Sequence, residues 1–211
     1  MRKPKANELF SAQEQERIRQ AVAEAERHTS GEIATMAVDE SDPYPEGEVL
    51  GAVMVAGLVS LLIAVAIEHI TIWTYVPLVI VMFFPLRAMF RLLPTVKLPF
   101  VGRRRIEAAV RSAAVRSFFE RGLHRTRHET GILIYISLLE HKVWILGDRG
   151  INQKIPPHFW EEHVQAVAAG LREGRAADAL CQVIADCGTE LAVHFPYRRD
   201  DVNELSDHLI V

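Results

Sequence analysis

A long apolar stretch dominates the hydrophobic pattern of the chain. Residues 49–67 (VLGAVMVAGLVSLLIAVAI) carry no charge, and residues 70–86 (ITIWTYVPLVIVMFFPL) carry none either. Each segment approaches the roughly 20 residues that an α-helix needs to cross about 30 Å of hydrocarbon. Neither has the one-sided apolar stripe that is typical of a helix in a soluble domain. The pattern therefore predicts two membrane-spanning helices, with a buried helix pair in a soluble domain as the weaker alternative.

Two ionisable side chains, Glu68 and His69, separate the apolar segments. A charge is costly inside hydrocarbon but costs little at an aqueous interface, so these residues predict the tip of a helical hairpin. Trp73 and Tyr75 follow closely, where aromatic side chains favour the headgroup level. A proton relay built on Glu68 and His69 is the alternative interpretation. Neither apolar segment contains another ionisable residue to extend such a relay.

Small residues and prolines suggest how the two spans pack and where the second one ends. Gly51 and Gly57 offer a surface on which the second span can approach closely. Pro77 and Pro85 are expected to kink or end the second span, and Pro85 with Arg87 marks its predicted exit.

The distribution of Lys and Arg predicts the orientation. The hairpin tip has none, whereas basic residues crowd the exit of the second span, as is typical of a cytoplasmic flank. These residues are Arg87, Arg91, Lys97, Arg103, Arg104 and Arg105. The prediction is a two-span protein of the cytoplasmic (inner) membrane with its soluble domain on the cytoplasmic side. The basic residues then lie near anionic lipid headgroups.

Three further features agree with this location. The N-terminal MRKPKANELF lacks an apolar core, so no cleavable signal peptide is expected. Cys181 and Cys187 lie six apart on a predicted helix and project in different directions, which favours two free thiols in a reducing compartment. The net charge is −3 and no nucleic-acid-binding motif is present, so no nucleic-acid partner is expected.

The remaining segments predict alternating helices and strands. The SAQE sequence at Ser11 is a capping-box pattern that starts a helix to His28, and GEIATMAV (31–38) follows as a strand. Later helices are predicted over 103–124, 156–170 and 175–195, and a β-hairpin over 130–138 and 142–146. The strand at 130–138 is apolar on both faces, which places it in the middle of a helix-covered sheet.

The membrane hairpin is predicted to be an insertion into one α/β domain. A single N-terminal helix and strand cannot bury a core, but a hairpin returns the chain to its starting side, so the strand at Ile33 can join the sheet at Ile132. The predicted divisions are 1–48 and 94–196 for the two parts of the domain, 49–93 for the transmembrane hairpin and 197–211 for a flexible tail. Within that tail, 209–211 can dock on the domain.

Several short motifs resemble the TPM domain family. They are Glu129-Thr130-Gly131 before an apolar strand, Gly147-Asp148-Arg149-Gly150 at a strand end, and Leu171-Arg172-Glu173-Gly174-Arg175 after a helix. The resemblance covers roughly 11–38 and 110–196. It implies a three-layer α/β/α sandwich with a small mixed sheet. Where the family often has Asp-Asn-Gly before the central strand, this chain has Glu129-Thr130-Gly131.

The resemblance implies two kinds of function. Some members are described as acid phosphatases, and others as assembly, repair or receptor-associated factors. For a metal-assisted phosphatase, the candidate catalytic residues are Asp39, Asp148 and Arg149, because carboxylates at strand ends can hold a metal and an arginine can neutralise a phosphate. The alternative is a purely structural role, in which residues 147–150 form a tight turn and the Asp148 side chain forms a hydrogen bond with the backbone.

The sequence offers two weaker sets of candidate metal ligands. Asp39, Glu129 and Asp148 are the candidate oxygen ligands for a divalent cation, which is the only cofactor that the sequence suggests. His124 and His128 are four apart and on one helical face could bind a transition metal, but the arginines between them oppose a cation. A basic helix end is the alternative role for this segment.

Two hypotheses result. The first is a membrane-anchored TPM-like domain that binds another membrane protein or an assembly intermediate, with the lipid bilayer as its second partner. The second is the metal-assisted phosphatase. A homo-oligomeric structural unit is a third possibility.

Overall fold

The computed structural model describes residues 5–68, 71–197 and 203–211, so that His69 lies outside the described residues. The helices are α1 (Ala12–Glu26), α2 (Pro45–Ala66), α3 (Ile72–Leu92), α4 (Pro94–Lys97), α5 (Arg103–Glu120), α6 (Arg149–Asn152), α7 (Pro157–Arg172) and α8 (Ala176–His194). The strands are β1 (Glu32–Val38), β2 (Gly131–Ser137) and β3 (Lys142–Gly147).

The three strands form one mixed sheet in the order β1-β2-β3. β1 pairs with β2 in parallel, with Ile33 opposite Ile132, and β2 pairs with β3 in antiparallel fashion. Every residue of β2 is buried, as its apolar sequence on both faces predicts. The prediction that the strand before the apolar stretch completes the later sheet is therefore confirmed.

Helices cover the two faces of the sheet. On one face, Ile33, Ile132 and Ile134 belong to a core that includes residues of α1, α7 and α8. On the other face, Leu133 and Tyr135 pack with residues of α5. The period of two along each strand sends alternate side chains into the two cores. The result is the predicted α/β/α arrangement with a small mixed sheet.

Local sequence signals explain most helix ends. Ser11 and Glu14 form the predicted capping box at the start of α1, with the Ser11 hydroxyl accepting a hydrogen bond from the Glu14 N–H. Pro157 is the first residue of α7. The prediction that α5 continues to His124 is wrong, because the helix ends at Glu120 and Gly122 takes a left-handed conformation that turns the chain away.

Residues 42–106 form a compact unit of their own, separate from the unit that contains the sheet. Its two long helices are α2 and α3, and both are long and apolar enough to cross a membrane by length and composition. Pro77 and Pro85 lie inside α3, which continues to Leu92, so neither proline ends the helix. A helix can tolerate internal proline where neighbouring groups or a local change of geometry compensate for the lost hydrogen bond.

The described part of the C-terminal tail lies along the outer edge of β1. Ala37 N–H donates to the Ile210 carbonyl at 2.9 Å, and Ile210 N–H donates to the Thr35 carbonyl at 2.9 Å. The Glu32 carboxylate accepts from the N–H groups of Glu204 and Leu205 at 3.2 and 3.1 Å. We call residues 203–211 the C-terminal strap, because they cover a strand edge that would otherwise be open.

Candidate functional sites on the sheet

The sheet places the two carboxylates of the phosphatase hypothesis at opposite ends. Asp39 follows β1, whose last residue, Val38, lies opposite Ser137. Asp148 follows β3, and its N–H donates to the Gly131 carbonyl at 2.8 Å, at the other end of β2. Six residue steps of roughly 3.3 Å separate these ends by about 20 Å. Since β3 runs antiparallel to β2, the expected convergence of Asp39 and Asp148 on one crevice does not occur.

At the Asp148 end, the structure forms a tight turn. One carboxylate oxygen of Asp148 accepts from the Arg149 N–H at 2.7 Å and thereby caps α6. The Glu129 carbonyl accepts from the Gly150 N–H at 3.1 Å, so Glu129 does lie beside this turn through its backbone. The other Asp148 oxygen is buried and has no hydrogen-bond partner within the described part of the chain.

The histidines considered as metal ligands do not share a helical face. They follow the end of α5 and lie in turns, and the His124 ring packs 5.0 Å from the Phe119 ring. Over residues 5–68, 71–197 and 203–211, no group of three or more His, Cys, Asp or Glu side chains is arranged to hold a metal ion.

At the Asp39 end, a buried polar cluster was not anticipated from the sequence. The Ser41 hydroxyl donates to the Ser137 hydroxyl at 2.8 Å, and the Ser137 hydroxyl donates to a Glu140 carboxylate oxygen at 2.5 Å. The other Glu140 oxygen accepts from the Ser41 N–H at 3.0 Å. The Tyr135 hydroxyl lies 3.3 Å from the Ser41 hydroxyl, and burial raises the pKa of Tyr135.

This cluster fixes the chain where β1 ends rather than offering a reaction site. Ser137 is fully buried and Tyr135 is 2% exposed, so a substrate has no access to them. Asp39 contributes nearby by accepting from the Ala6 N–H at 2.6 Å, which ties the N-terminal segment to the same end of the sheet. No local motif announces the cluster, because Ser41 and Ser137 are 96 residues apart.

A groove runs along the outer edge of β3, and we call it the β3-edge groove. Its volume is about 450 Å³. It is lined by Glu107 and Val110 of α5, by residues 142–145 of β3, and by Trp160, Glu161 and Val164 of α7. One feature of the sequence indicates this groove. Residues 143–146 are apolar on both faces, although β3 is an edge strand.

The β3-edge groove combines aromatic, apolar and charged groups. The Lys142 ammonium lies 3.2 Å from a Glu107 carboxylate oxygen, and both side chains are substantially exposed. The Arg111 guanidinium lies 5.8 Å from the centre of the Trp144 ring. The indole N–H of Trp160 is buried and has no acceptor among the described residues. Such an arrangement suits a ligand that brings apolar surface together with a charged group.

The helix pair α2 and α3 has a different kind of surface. Its inner face is built from small residues, and an added Cβ at Gly51 would lie 2.7 Å from the Phe90 ring. The Tyr75 hydroxyl donates to the Gly57 carbonyl at 3.3 Å. Outward-facing apolar side chains such as Leu58 and Phe84 are 59% and 65% exposed.

The basic residues from the last turns of α3 onward divide into two groups. Within residues 42–106, Lys97 contacts the Glu48 carboxylate at 3.4 Å, and Arg105 contacts Asp42 and Glu46 at 2.9 Å each. The second group has no ion-pair partner in the described parts of the chain. It consists of Arg87, Arg91, Arg103 and Arg104.

These features define a class: an α/β/α sandwich with a three-stranded mixed sheet, into which a pair of apolar helices is inserted after the first strand. Residues 101–190 match the model of the TPM domain family (TPM_phosphatase). The TPM resemblance is thus confirmed for the stretch from α5 through most of α8.

Comparison with solved structures supports the fold over nearly the whole chain. The chain is similar to the NMR structure of the BA42 protein from the psychrophilic bacterium Bizionia argentinensis, with a TM-score of 0.60. The two share 21% sequence identity, over 98% of this chain and 97% of that one. At this identity the likeness shows the fold alone. Comparison with curated proteins found no match.

Proposed function

We propose that this protein is a TPM-domain interaction module that its α2/α3 hairpin anchors in the inner membrane, where it binds another membrane protein or an assembly intermediate. One observation carries the anchoring: in its most apolar 18-residue window, α3 has no buried residue, and the corresponding window of α2 is 28% buried. Helices this apolar and this exposed are unfavourable in water and favourable in lipid.

The four arginines that have no ion-pair partner among the described residues support the proposed orientation. Arg87 and Arg91 lie four apart on the last turns of α3, and Arg103 and Arg104 begin α5. Free guanidinium groups beside an apolar helix end can bind lipid phosphates and are typical of the cytoplasmic side. The α/β unit would then face the cytoplasm. Two free thiols, at Cys181 and Cys187, suit that reducing compartment.

Anchoring favours a binding role because it confines the domain to a surface and raises its effective concentration toward other membrane proteins. The phosphatase alternative is not favoured, because the sheet holds Asp39 and Asp148 at opposite ends.

Membrane fractionation combined with cysteine labelling tests this proposal. The full chain should stay in the membrane pellet after alkaline carbonate extraction and dissolve only with detergent. In a Cys181→Ser, Cys187→Ser background, a cysteine introduced by Lys142→Cys should escape an impermeant reagent in intact cells and react after the cells are opened.

Release by carbonate would contradict the anchoring, and labelling in intact cells would contradict the cytoplasmic placement. Affinity purification in mild detergent, followed by identification of the proteins that co-purify, then tests the binding role.

A further inference from the structure

The fold protects one edge of its sheet and leaves the other open. The C-terminal strap forms backbone hydrogen bonds with the outer edge of β1 through Ile210. β3 is the opposite edge strand, and no described segment pairs with its outer side. In an antiparallel pair, alternate residues turn their N–H and C=O groups outward, so roughly three residues of β3 present unpaired backbone groups there.

The usual protections of an edge strand are nearly absent from β3. The strand has no proline, and its single charge, Lys142, lies at one end and is engaged with Glu107. Residues 143–146 present apolar side chains on both faces. Edge strands of this kind are templates for pairing with another chain unless something covers them.

The walls of the β3-edge groove suit one extended chain. α5 contributes Val110 on one side of β3, and α7 contributes Trp160 and Val164 on the other. A strand added to β3 would lie about 4.8 Å from it and place alternate side chains against the two walls. The groove volume of about 450 Å³ lies within the range of peptide and ligand pockets.

One polar feature of the groove specifies the occupant further. Glu161 is exposed at the rim and has no ion-pair partner in the residues described, whereas the Glu107 carboxylate is already paired with Lys142. The rim therefore complements one basic residue, whereas a second copy of this chain would bring a like-charged Glu161 and a lysine that is already paired with Glu107.

We propose that the β3-edge groove binds an extended peptide segment of a partner protein as a fourth strand. The segment alternates apolar and polar residues and carries a Lys or Arg that meets Glu161. This is β-strand addition, in which backbone hydrogen bonds supply affinity and the alternate side chains supply specificity. The inference rests on the proposed binding function and names the surface through which it acts.

The test uses the full chain in detergent micelles and a phage-displayed library of random peptides of about ten residues, the upper length of an ordinary strand. Enriched peptides should share the alternating pattern and a basic residue. Glu161→Lys should weaken their binding about tenfold, because it places like charges together. Glu162→Lys, the neighbouring charge reversal outside the groove, should leave binding unchanged.

Two further measurements separate strand addition from simple surface contact. N-methylation of the peptide at every second amide should abolish binding in one register and spare it in the other, because only alternate amides face β3. Bound peptide should slow amide hydrogen exchange in residues 142–147.

The inference is overturned if no peptide is enriched, if both N-methylated registers bind equally, or if Glu161→Lys and Glu162→Lys act alike. It is also overturned if residues 142–147 gain protection with rising protein concentration alone, which would identify a second copy as the occupant. If a partner still co-purifies with the Glu161→Lys chain, the proposed binding function stands and only this surface is wrong.

Discussion

Single residues show how tightly the turn that follows β3 is built. A Cβ added at Gly150 would lie 2.7 Å from the carbonyl oxygens of both His128 and Glu129. The glycine is therefore required by close backbone approach, and the GDRG sequence reads as a packing motif at this position. The sequence identified the turn and the role of Asp148 as a backbone acceptor. It could not identify the segment against which the turn packs.

The two cysteines differ in burial, which leads to a prediction about their reactivity. Burial raises the pKa of Cys187 to about 12, and it also raises the pKa of the half-buried Cys181. At pH 8 a thiol with that pKa is thiolate in about one molecule in ten thousand. We expect a thiol reagent to modify native Cys181 much faster than Cys187, measured by mass spectrometry after timed quenching.

Two single-cysteine variants check which thiol reacts in the native protein. Cys181→Ser should remove the native-state labelling, whereas Cys187→Ser should preserve it, and unfolding should expose both thiols. Because folding favours the protonated Cys187 thiol, its contribution to stability is complete below the unfolded pKa, near 8.5, and is lost as the pH rises toward 12. Equal native labelling rates at pH 8 would contradict the buried position.

At the scale of elements, the C-terminal strap is the feature that goes furthest beyond what the sequence predicted. Helices and strands were predicted from periodicity, because apolar residues recur at a regular spacing along each of these elements. The strap has no such repeat. It is held by backbone pairing to β1 and by the Glu32 carboxylate, which are contacts between distant parts of the chain. Its polar composition predicted only a loose tail with a docked end.

The strap makes a testable contribution to stability. Ile210→Asp should lower the free energy of unfolding by about 2 kcal/mol, because Ile210 packs with the core on the α5 face of the sheet. It should also promote self-association, since it exposes the edge of β1. Chemical denaturation in detergent and sedimentation measure the two effects. Val211→Asp changes a 58% exposed neighbour and should leave both values near wild type.

At the scale of the whole molecule, the central feature is a domain whose first strand and remaining strands are separated in sequence by the apolar helices. Residues 42–106 cluster apart from the sheet-containing unit. In that unit, Ser41 bonds to Ser137, Ser137 lies opposite Lys142, and Lys142 contacts Glu107. The two points at which the chain leaves and re-enters the unit are therefore close together.

This proximity predicts that the insertion can be replaced. A chain in which about ten Gly and Ser residues, spanning roughly 17 Å on average, replace residues 42–102 should fold without detergent. Its circular dichroism and the exchange protection of β2 should show an intact sheet. A second variant that also lacks residues 5–41 should not fold, because β2 loses its parallel neighbour. Folding of the second variant would show that β1 is dispensable.

The sequence by itself determined the long helices, the three strands and their order, because apolar periodicity, caps and charge-free segments are local properties. It also determined that β2 is central, since a strand apolar on both faces must be covered on both. Only the tertiary structure decided which strand ends meet, where the strap lies and that β3 has an open edge. These depend on strand direction and on pairing between residues far apart in the chain, and neither is encoded in any local pattern.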